Sequence, residues 1–451
     1  MAQRRKMTRR RFLEASAAGA AGVGFPYFVP SRVFARAGQP GANERIVIGH
    51  IGVGGRGSGH VRDSGRRGDP VAVVCDVDDR RAALAVRGLK QAGQNPITCR
   101  DYRQVLDRKD VDAVMIATPD HWHAIMMVDA CKAEKDVYSE KPTCRTIQEG
   151  QAMINAANKY QRVVQIGAQG RSNPAGRAAA QFARNGQLGK IDRVEVWHMR
   201  NPSYGGMSES QDPPPALDWD LWLGPARWRP YNRGIHPGAF RWFMDLGAGS
   251  IRDRGNHVLS CVYYAMNADA TGPVSVEATG EPAKQGIWDV PITMEVKWEF
   301  KNPDWTMTWG QPGRTRPFPD TGRMVDWGAQ LFGDKDSLII WHGDAVNTEK
   351  KALNYQPPAD GVTLPLPAAP TTPGQDATGA HRQNWFDCMK TRQKTIMPPE
   401  AGVAVIDLPI IANIAYLLGR KLQWDAKSRR FVGDDEANRF LADPYRYPWH
   451  V

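Results

Sequence analysis

Ile46-Val47-Ile48-Gly49-His50-Ile51-Gly52-Val53-Gly54-Gly55-Arg56-Gly57 carries an apolar run straight into a glycine-rich turn. The run predicts a strand, and Gly52-x-Gly54-x-x-Gly57 has the spacing at which a strand turns tightly into a helix. Its glycines would permit the turn, the close approach of a pyrophosphate and tight helix–strand packing. Such a triplet is weak alone, because 44 glycines supply chance matches. Its place after a strand and before a helix is what gives it meaning; the bland alternative is a glycine turn in a flavodoxin-like sheet that holds no nucleotide. Asp76 ends the next apolar run, nineteen residues after Gly57. A carboxylate there accepts hydrogen bonds from adenosine ribose hydroxyls and repels a 2′-phosphate, so NAD is favoured over NADP, with Arg56 softening the preference.

Working outward, Ile46–Ile51, Val71–Cys75, Ala113–Ala117, Val137–Ser139 and Val163–Ile166 read as strands with the continuous apolar character of a parallel sheet covered on both faces. Arg80–Gln91, Tyr102–Arg108, His123–Ala133 and Ile147–Tyr160 fill the gaps as helices. This βα rhythm predicts an α/β fold with a doubly wound Rossmann sheet over residues 44–168. The pattern changes after Gly167. A helix near Pro174–Asn185 and a strand at Asp192–His198 lead into Asn201–Gly249, an irregular stretch dense in Pro, Gly and Trp. Val274–Thr279, Ile292–Phe300, Trp305–Gly310 and Ser337–Trp341 then alternate with period two, which predicts a large, mostly antiparallel open sheet in an α+β domain over 169–425. A Pro-rich loop, Pro357–Pro373, precedes closing helices at His381–Thr391 and Pro399–Leu418, which are expected to reach back toward the Rossmann domain; 426–451 forms a tail.

Thr8-Arg9-Arg10-Arg11-Phe12-Leu13 has the form of a twin-arginine export address. Residues 1–35 read as its signal peptide, with a weakly apolar stretch from Ala15 to Val29 and small residues at Val33-Phe34-Ala35, and 36–43 as a linker. The apolar stretch is shorter than the roughly 20 residues a membrane span needs, and no transmembrane run is expected beyond it. The formal charge of +11 is mostly leader: seven Lys/Arg against Glu14 leave +5 for the rest. A mildly basic mature chain gives no reason to invoke nucleic acid. Cys75, Cys99, Cys131, Cys144, Cys261 and Cys388 contain no Cys-x-x-Cys pair and read as buried single thiols, with a disulfide open but unnamed by spacing. The twin-arginine route carries folded proteins, and a nicotinamide enzyme outside the cytoplasm finds no soluble cofactor pool. Export and a glycine turn together predict a dinucleotide held tightly through many turnovers, in the periplasm or beyond.

Two further strings follow parallel strands: Ala117-Thr118-Pro119-Asp120-His121-Trp122-His123 and Ser139-Glu140-Lys141-Pro142. With the glycine turn and Asp76, they resemble the glucose–fructose oxidoreductase, inositol dehydrogenase and rhizopine-catabolism family (Gfo/Idh/MocA). The resemblance runs from Ile46 to Trp424 and includes Asp218-Trp219-Asp220-Leu221-Trp222-Leu223-Gly224-Pro225, Asp253-Arg254-Gly255-Asn256-His257 and His381-Arg382-Gln383-Asn384-Trp385-Phe386-Asp387-Cys388. It implies an oxidoreductase whose catalytic group is Lys141, Asp253 and His257. Taking hydride from an alcohol carbon requires the hydroxyl proton to leave, which a histidine can accept, while a lysine hydrogen-bonds the oxygen as charge develops on it. Asp253 and His257, four apart, would share a helix face; the plain alternatives are a capping Asp253, a structural His257 and a surface Lys141.

The resemblance further implies cofactor contacts from Gly52, Gly54, Gly55, Arg56, Gly57, Asp76, Thr118, Pro119, His121, Glu140, Lys141 and Gln169. Arg171, Trp242, Asp253 and His257 are expected to bind substrate. No metal is expected, since His121 and His123 lack a third ligand with convincing spacing. Four tryptophans (Trp219, Trp222, Trp228, Trp242) before Asp253 either stack on sugar faces or pack the loop. The functional expectation is a sugar, glycoside or polyol oxidoreductase. Its rivals are a redox-neutral NAD-dependent glycosidase, whose known branch differs around the Asp-x-x-x-His string intact here, and a non-catalytic sugar-binding protein. Relatives with such sheets pair face to face, so a homodimer or homotetramer is implied.

Overall fold

The computed structural model describes residues 45–313, 316–317, 322–342, 346–364 and 377–451. The leader, the linker and most of the Pro-rich loop lie outside the described residues. Six parallel strands, β1 (Ile48–Ile51), β2 (Val71–Cys75), β3 (Ile97–Cys99), β4 (Ala113–Ile116), β5 (Asp136–Glu140) and β6 (Val164–Gly167), lie in the order β3-β2-β1-β4-β5-β6. The strand β3 is an addition to the sequence reading. It sits at the sheet edge with Ile97 and Thr98 exposed, so it carries no buried run to detect. Helices between the strands begin where polar side chains satisfy their first amides: Asp78 accepts from Arg80 N–H, Thr146 and Glu149 form a reciprocal capping box, and Asn173 caps a helix opening on Pro174. Each such cap contributes about 1 kcal/mol. The strand order reverses between β1 and β4, and the carboxyl ends there open a crevice.

The second sheet holds nine strands: β7 (Ile191–Trp197), β8 (Ser275–Glu281), β9 (Thr293–Phe300), β10 (Trp305–Gln311), β13 (Gly328–Gly333), β14 (Ser337–His342), β15 (Val346–Thr348), β16 (Leu422–Asp425) and β17 (Arg430–Phe431). Their order is β15-β14-β13-β7-β10-β9-β8-β16-β17, with β11 (Arg316–Pro317) and β12 (Met324–Val325) forming a separate pair. All neighbours are antiparallel except β7 and β10, which run parallel. Period two is clearest in β9, where Met294, Val296, Trp298 and Phe300 are buried. That apolar face packs on helices Gly255–Met266 and Pro399–Leu418.

Helix Pro399–Leu418 corrects the expectation of no membrane-length apolar run. It is long and apolar enough to cross a membrane, yet 78% of its apolar window is buried. Val405, Ile406, Leu408 and Ile411 are fully enclosed. The helix packs on β8, on β6 and on helix Ile147–Lys159, so it touches both sheets, and Ile46–Val451 forms one compact unit.

The aromatic stretch builds a core of its own, in which Trp219 and Trp222 stack with ring centroids 4.7 Å apart and Tyr231, Phe240, Phe243 and Trp288 close around them. The tail returns to this region. Arg446 Nε donates to the Gly224 carbonyl at 2.8 Å, and Trp449 stands edge-on to Trp122 at 4.7 Å.

Candidate active site

The crevice above β1 and β4 is a cavity of about 710 Å³ that runs from the glycine turn to the first turn of helix Gly255–Met266. Its lining includes Gly52, Gly54, Gly55, Arg56, Asp76, Thr118, Pro119, Glu140, Lys141, Gln169 and His257. The turn works by leaving side chains out. Gly52 has φ +77°, and a Cβ there would lie 2.8 Å from the Ala117 backbone carbon. A Cβ on Gly57 would stand 2.0 Å from the Gly52 carbonyl oxygen, so Gly57 packs helix on strand rather than lining the cavity. Gly54 precedes helix Gly55–Arg67 without a side-chain cap, which leaves the first helical amides open to an anion. Asp76 is nine-tenths buried; its Oδ2 accepts from Val53 N–H at 2.8 Å and its Oδ1 from Asp78 N–H at 2.9 Å. Burial pushes this carboxyl up while those two amides pull it down. Each oxygen keeps a lone pair, so the donor set and the bare backbone cradle fit a dinucleotide.

Glu140 is an anchor as much as a lining residue. One carboxylate oxygen meets His60 Nε2 at 2.8 Å, Gln169 Nε2 at 2.9 Å and Arg56 Nε at 3.1 Å. Burial raises this carboxyl, but Arg56, His60 and Lys141 outweigh it and hold it well below the usual range. Glu140 thereby orients two further residues of the cofactor set, Arg56 and Gln169.

Lys141 follows at the end of β5. Its Nζ donates to Asp253 Oδ1 at 2.5 Å, and Arg241 Nε donates to Asp253 Oδ2 at 2.9 Å. Burial alone would raise Asp253; Lys141 and Arg241 reverse that and keep it ionised far below the ordinary carboxylate range. Asp253 precedes the helix, which begins at Gly255 after Arg254 at the cap position, so the expected shared helix face is replaced by a turn. The carboxylate consequently faces Lys141 and Arg241. His257 lies in the first helical turn, its Nδ1 buried and without a hydrogen-bond partner. Burial first, then the charge of Lys141 and then His342, hold this imidazole well below its ordinary value, so it stays neutral.

Several placements differ from the sequence reading. Arg171 is not in the cavity lining: its guanidinium is buried, donates to both carboxylate oxygens of Asp269 and meets Ser260 Oγ at 2.9 Å. Trp242 also stays out of the lining and tilts against Trp288 at 6.0 Å. His121 is buried beneath the cavity with Nε2 2.9 Å from the Trp222 carbonyl, and burial lowers it to about 3. His123 lies with its ring nitrogens 2.6 Å and 3.0 Å from the carbonyls of Pro142 and Thr118. Among the described residues no group of three or more His, Cys, Asp or Glu is arranged to hold a metal.

Among the lining residues that sequence reasoning missed, three ionisable ones stand near Lys141 and His257. Arg241 balances Asp253. Asp120, enclosed and raised by burial against the pull of Arg252, presents a carboxyl to the same wall. His342, at the end of β14, places its ring 5.0 Å from that of His257 and 4.4 Å from Trp327. Asp120 had a signal, its position in the string after β4. Arg241 and His342 are brought in by distant loops and strands and had none.

A parallel sheet whose strand order reverses over a bare glycine cradle, joined to a second sheet whose packed helix delivers a histidine beside a strand-end lysine, defines a two-part dinucleotide-binding oxidoreductase. Residues 46–168 match the oxidoreductase family's NAD-binding Rossmann fold, and residues 197–302 and 373–451 match its C-terminal alpha/beta domain. The chain belongs to the Gfo/Idh/MocA oxidoreductase family. It is 29% identical over 174 residues to a glycosyl hydrolase family 109 protein of Shewanella pealeana, covering 35% of this chain and 38% of that protein. It is 30% identical over 163 residues to an inositol 2-dehydrogenase of Arthrobacter sp., covering 36% and 47%. The matches span less than half of each of these curated relatives. Levoglucosan dehydrogenase, solved with NADH and levoglucosan, shares the fold at a TM-score of 0.59 and 17% identity, with 84% of this chain and 99% of that one covered.

Proposed function

We propose that this chain is an exported oxidoreductase that oxidises a CH–OH group of a sugar, glycoside or polyol and retains its NAD between turnovers, with NADP the lesser alternative. The observation that carries the reading is the Lys141–Asp253–Arg241 ion network set beside a neutral His257, whose Nδ1 has no hydrogen-bond partner, in a crevice that opens on the glycine turn. When bound, the oxidised nicotinamide supplies the hydride acceptor. Lys141 donates a hydrogen bond to the substrate oxygen as it gains charge, a role in which one such donor is worth about 10²–10³ in rate. His257 takes the hydroxyl proton. Asp253 holds the Lys141 ammonium in place through one oxygen, and Arg241 holds the other oxygen of that carboxylate. The string Thr8–Leu13 supports export, and the retained cofactor follows from a compartment without a nicotinamide pool. The family resemblance supports a homo-oligomer.

A second reading is favoured by His342. An NAD-dependent glycosidase needs one base for the hydroxyl and another for the C–H that the new carbonyl acidifies, and two imidazoles stand 5.0 Å apart on one wall. Loss of that second proton would expel the glycosidic group, water would then add across the double bond, and return of the hydride to the carbonyl carbon would restore the alcohol and leave NAD unchanged. The matched glycosyl hydrolase relative supports the same chemistry.

One experiment separates the readings. Protein purified with its nucleotide is mixed with sugars and aryl glycosides, and 340 nm absorbance and aglycone are followed together. A single stoichiometric burst of NADH supports the dehydrogenase, and catalytic aglycone release supports the glycosidase. Protein that binds neither NAD nor NADP on titration ends both.

A further inference from the structure

Cys75 and Cys99 end β2 and β3, and the strand register pairs them directly. Neighbouring strands lie about 4.8 Å apart, within the roughly 4.4–6.8 Å between Cα atoms that a disulfide spans. Paired residues on adjacent strands project to one face. Burial agrees: Cys75 belongs to the apolar cluster with Val73, Tyr102 and Val105, and Cys99 packs against that cluster. Both are free thiols. The Cys75 Sγ donates to the Arg100 carbonyl at 3.3 Å. The adjacent Cys99 and then burial raise the Cys75 thiol, whereas the adjacent Cys75 lowers that of Cys99. Cys99 is half-buried whereas Cys75 is enclosed. The more acidic thiol is therefore also the one an oxidant reaches first.

The pair is wired to the glycine turn through the backbone. The Cys75 carbonyl accepts from Gly52 N–H at 2.8 Å, and the Cys99 carbonyl accepts from Asp76 N–H at 3.2 Å. Asp76 in turn holds Val53 N–H. Any shift of these strand ends is felt where the dinucleotide would lie.

We propose that Cys75 and Cys99 form an oxidisable dithiol that closes to a disulfide beneath the cofactor crevice and weakens dinucleotide binding when closed. The affinity consequence rests on the dinucleotide reading of the crevice; the bond itself does not. The oxidant is a low-molecular-weight disulfide such as oxidised glutathione. Cys99 thiolate attacks one of its sulfurs, forming a mixed disulfide and expelling one glutathione thiolate. Cys75 gives its proton to that thiolate and attacks the Cys99 sulfur, expelling the second. Two cysteine thiols are oxidised, one glutathione disulfide is reduced to two thiols, and no other reactant is needed.

The test uses the whole reduced protein, incubated with oxidised glutathione, alkylated with iodoacetamide, digested and mapped by mass spectrometry. The expected product is a peptide pair joined through Cys75 and Cys99, two hydrogens lighter than its parts. Cys99→Ser should give no joined pair, and Cys75→Ser should leave Cys99 as a glutathione mixed disulfide. NAD titration should give at least about 5-fold weaker binding to oxidised than to reduced wild type, with no such difference in Cys99→Ser. Wild type in which both thiols remain alkylatable, or in which Cys99 stops at the mixed disulfide, overturns the proposal. A formed bond with unchanged affinity overturns its consequence. A formed bond in protein that binds no NAD in either state instead overturns the dinucleotide reading and leaves the dithiol standing.

Discussion

The two walls of the crevice are made in opposite ways. The glycine wall is shaped by what is missing: bare backbone at Gly52 and Gly57, where a single added methyl carbon would meet a neighbouring main chain at 2.8 Å and 2.0 Å. The opposite wall is shaped by charge, with Lys141, Asp253 and Arg241 interlocked and Asp120 set against Arg252. The first should be ruined by volume and indifferent to protonation. The second should tolerate a change of volume and fail when a charge is removed.

Four measurements would break or sharpen that contrast, from the largest effect to the smallest. Gly57→Ala forces its methyl into the Gly52 carbonyl and should cost at least about 3 kcal/mol, with loss of co-purifying nucleotide. A melting temperature within a few degrees of wild type would contradict the steric account. Lys141→Met keeps length but deletes charge; kcat should fall about 10²–10³-fold with nucleotide retained. The protein should stay folded because Arg241 still neutralises Asp253, so the full cost of about 3–5 kcal/mol for orphaning a buried charge is not reached. Near-normal turnover would remove Lys141 from the chemistry. The third measurement is the pH profile. Because His257 lies well below the ordinary 6.5, its imidazole remains a free base as pH falls through that value, so kcat/KM should stay level there and decline only at distinctly lower pH. An acid limb centred at 6.5 or above would exclude His257 as the proton acceptor. The smallest effect belongs to Gly55→Ala. A Cβ there meets nothing within 4 Å, so thermal stability should be unchanged or slightly raised, by about 0.5–1 kcal/mol. A large loss would mean that the wall is not defined by sterics.

The contrast also explains what the sequence could disclose. Backbone requirements are local: Gly52, Gly54 and Gly57 sit within six residues, and Asp76 follows on the next strand, so spacing alone brings them out. Lys141 follows a strand of the first sheet and His257 lies on a helix packed against the second, and only the family strings connected them. Arg241 and His342 reach the site through the irregular stretch and the far end of β14, with no periodicity to mark them. Arg171 and Trp242 fail for a related reason. A buried arginine and a half-buried tryptophan look alike in sequence whether they meet a ligand or, as here, Asp269 and Trp288. The strand β13 opens on Gly328 and carries the polar Gln330, which blunts the alternation that revealed β9.

Helix Pro399–Leu418 has one more consequence. Twenty residues that satisfy a bilayer in length and composition are safe only while the surrounding structure conceals them. A chain threaded through a membrane pore as an extended polymer would offer this segment to the lipid, where it could lodge sideways and halt passage. A chain moved intact hides it before the membrane is ever reached. The most greasy helix of the core is thus a physical reason for finishing folding ahead of any journey.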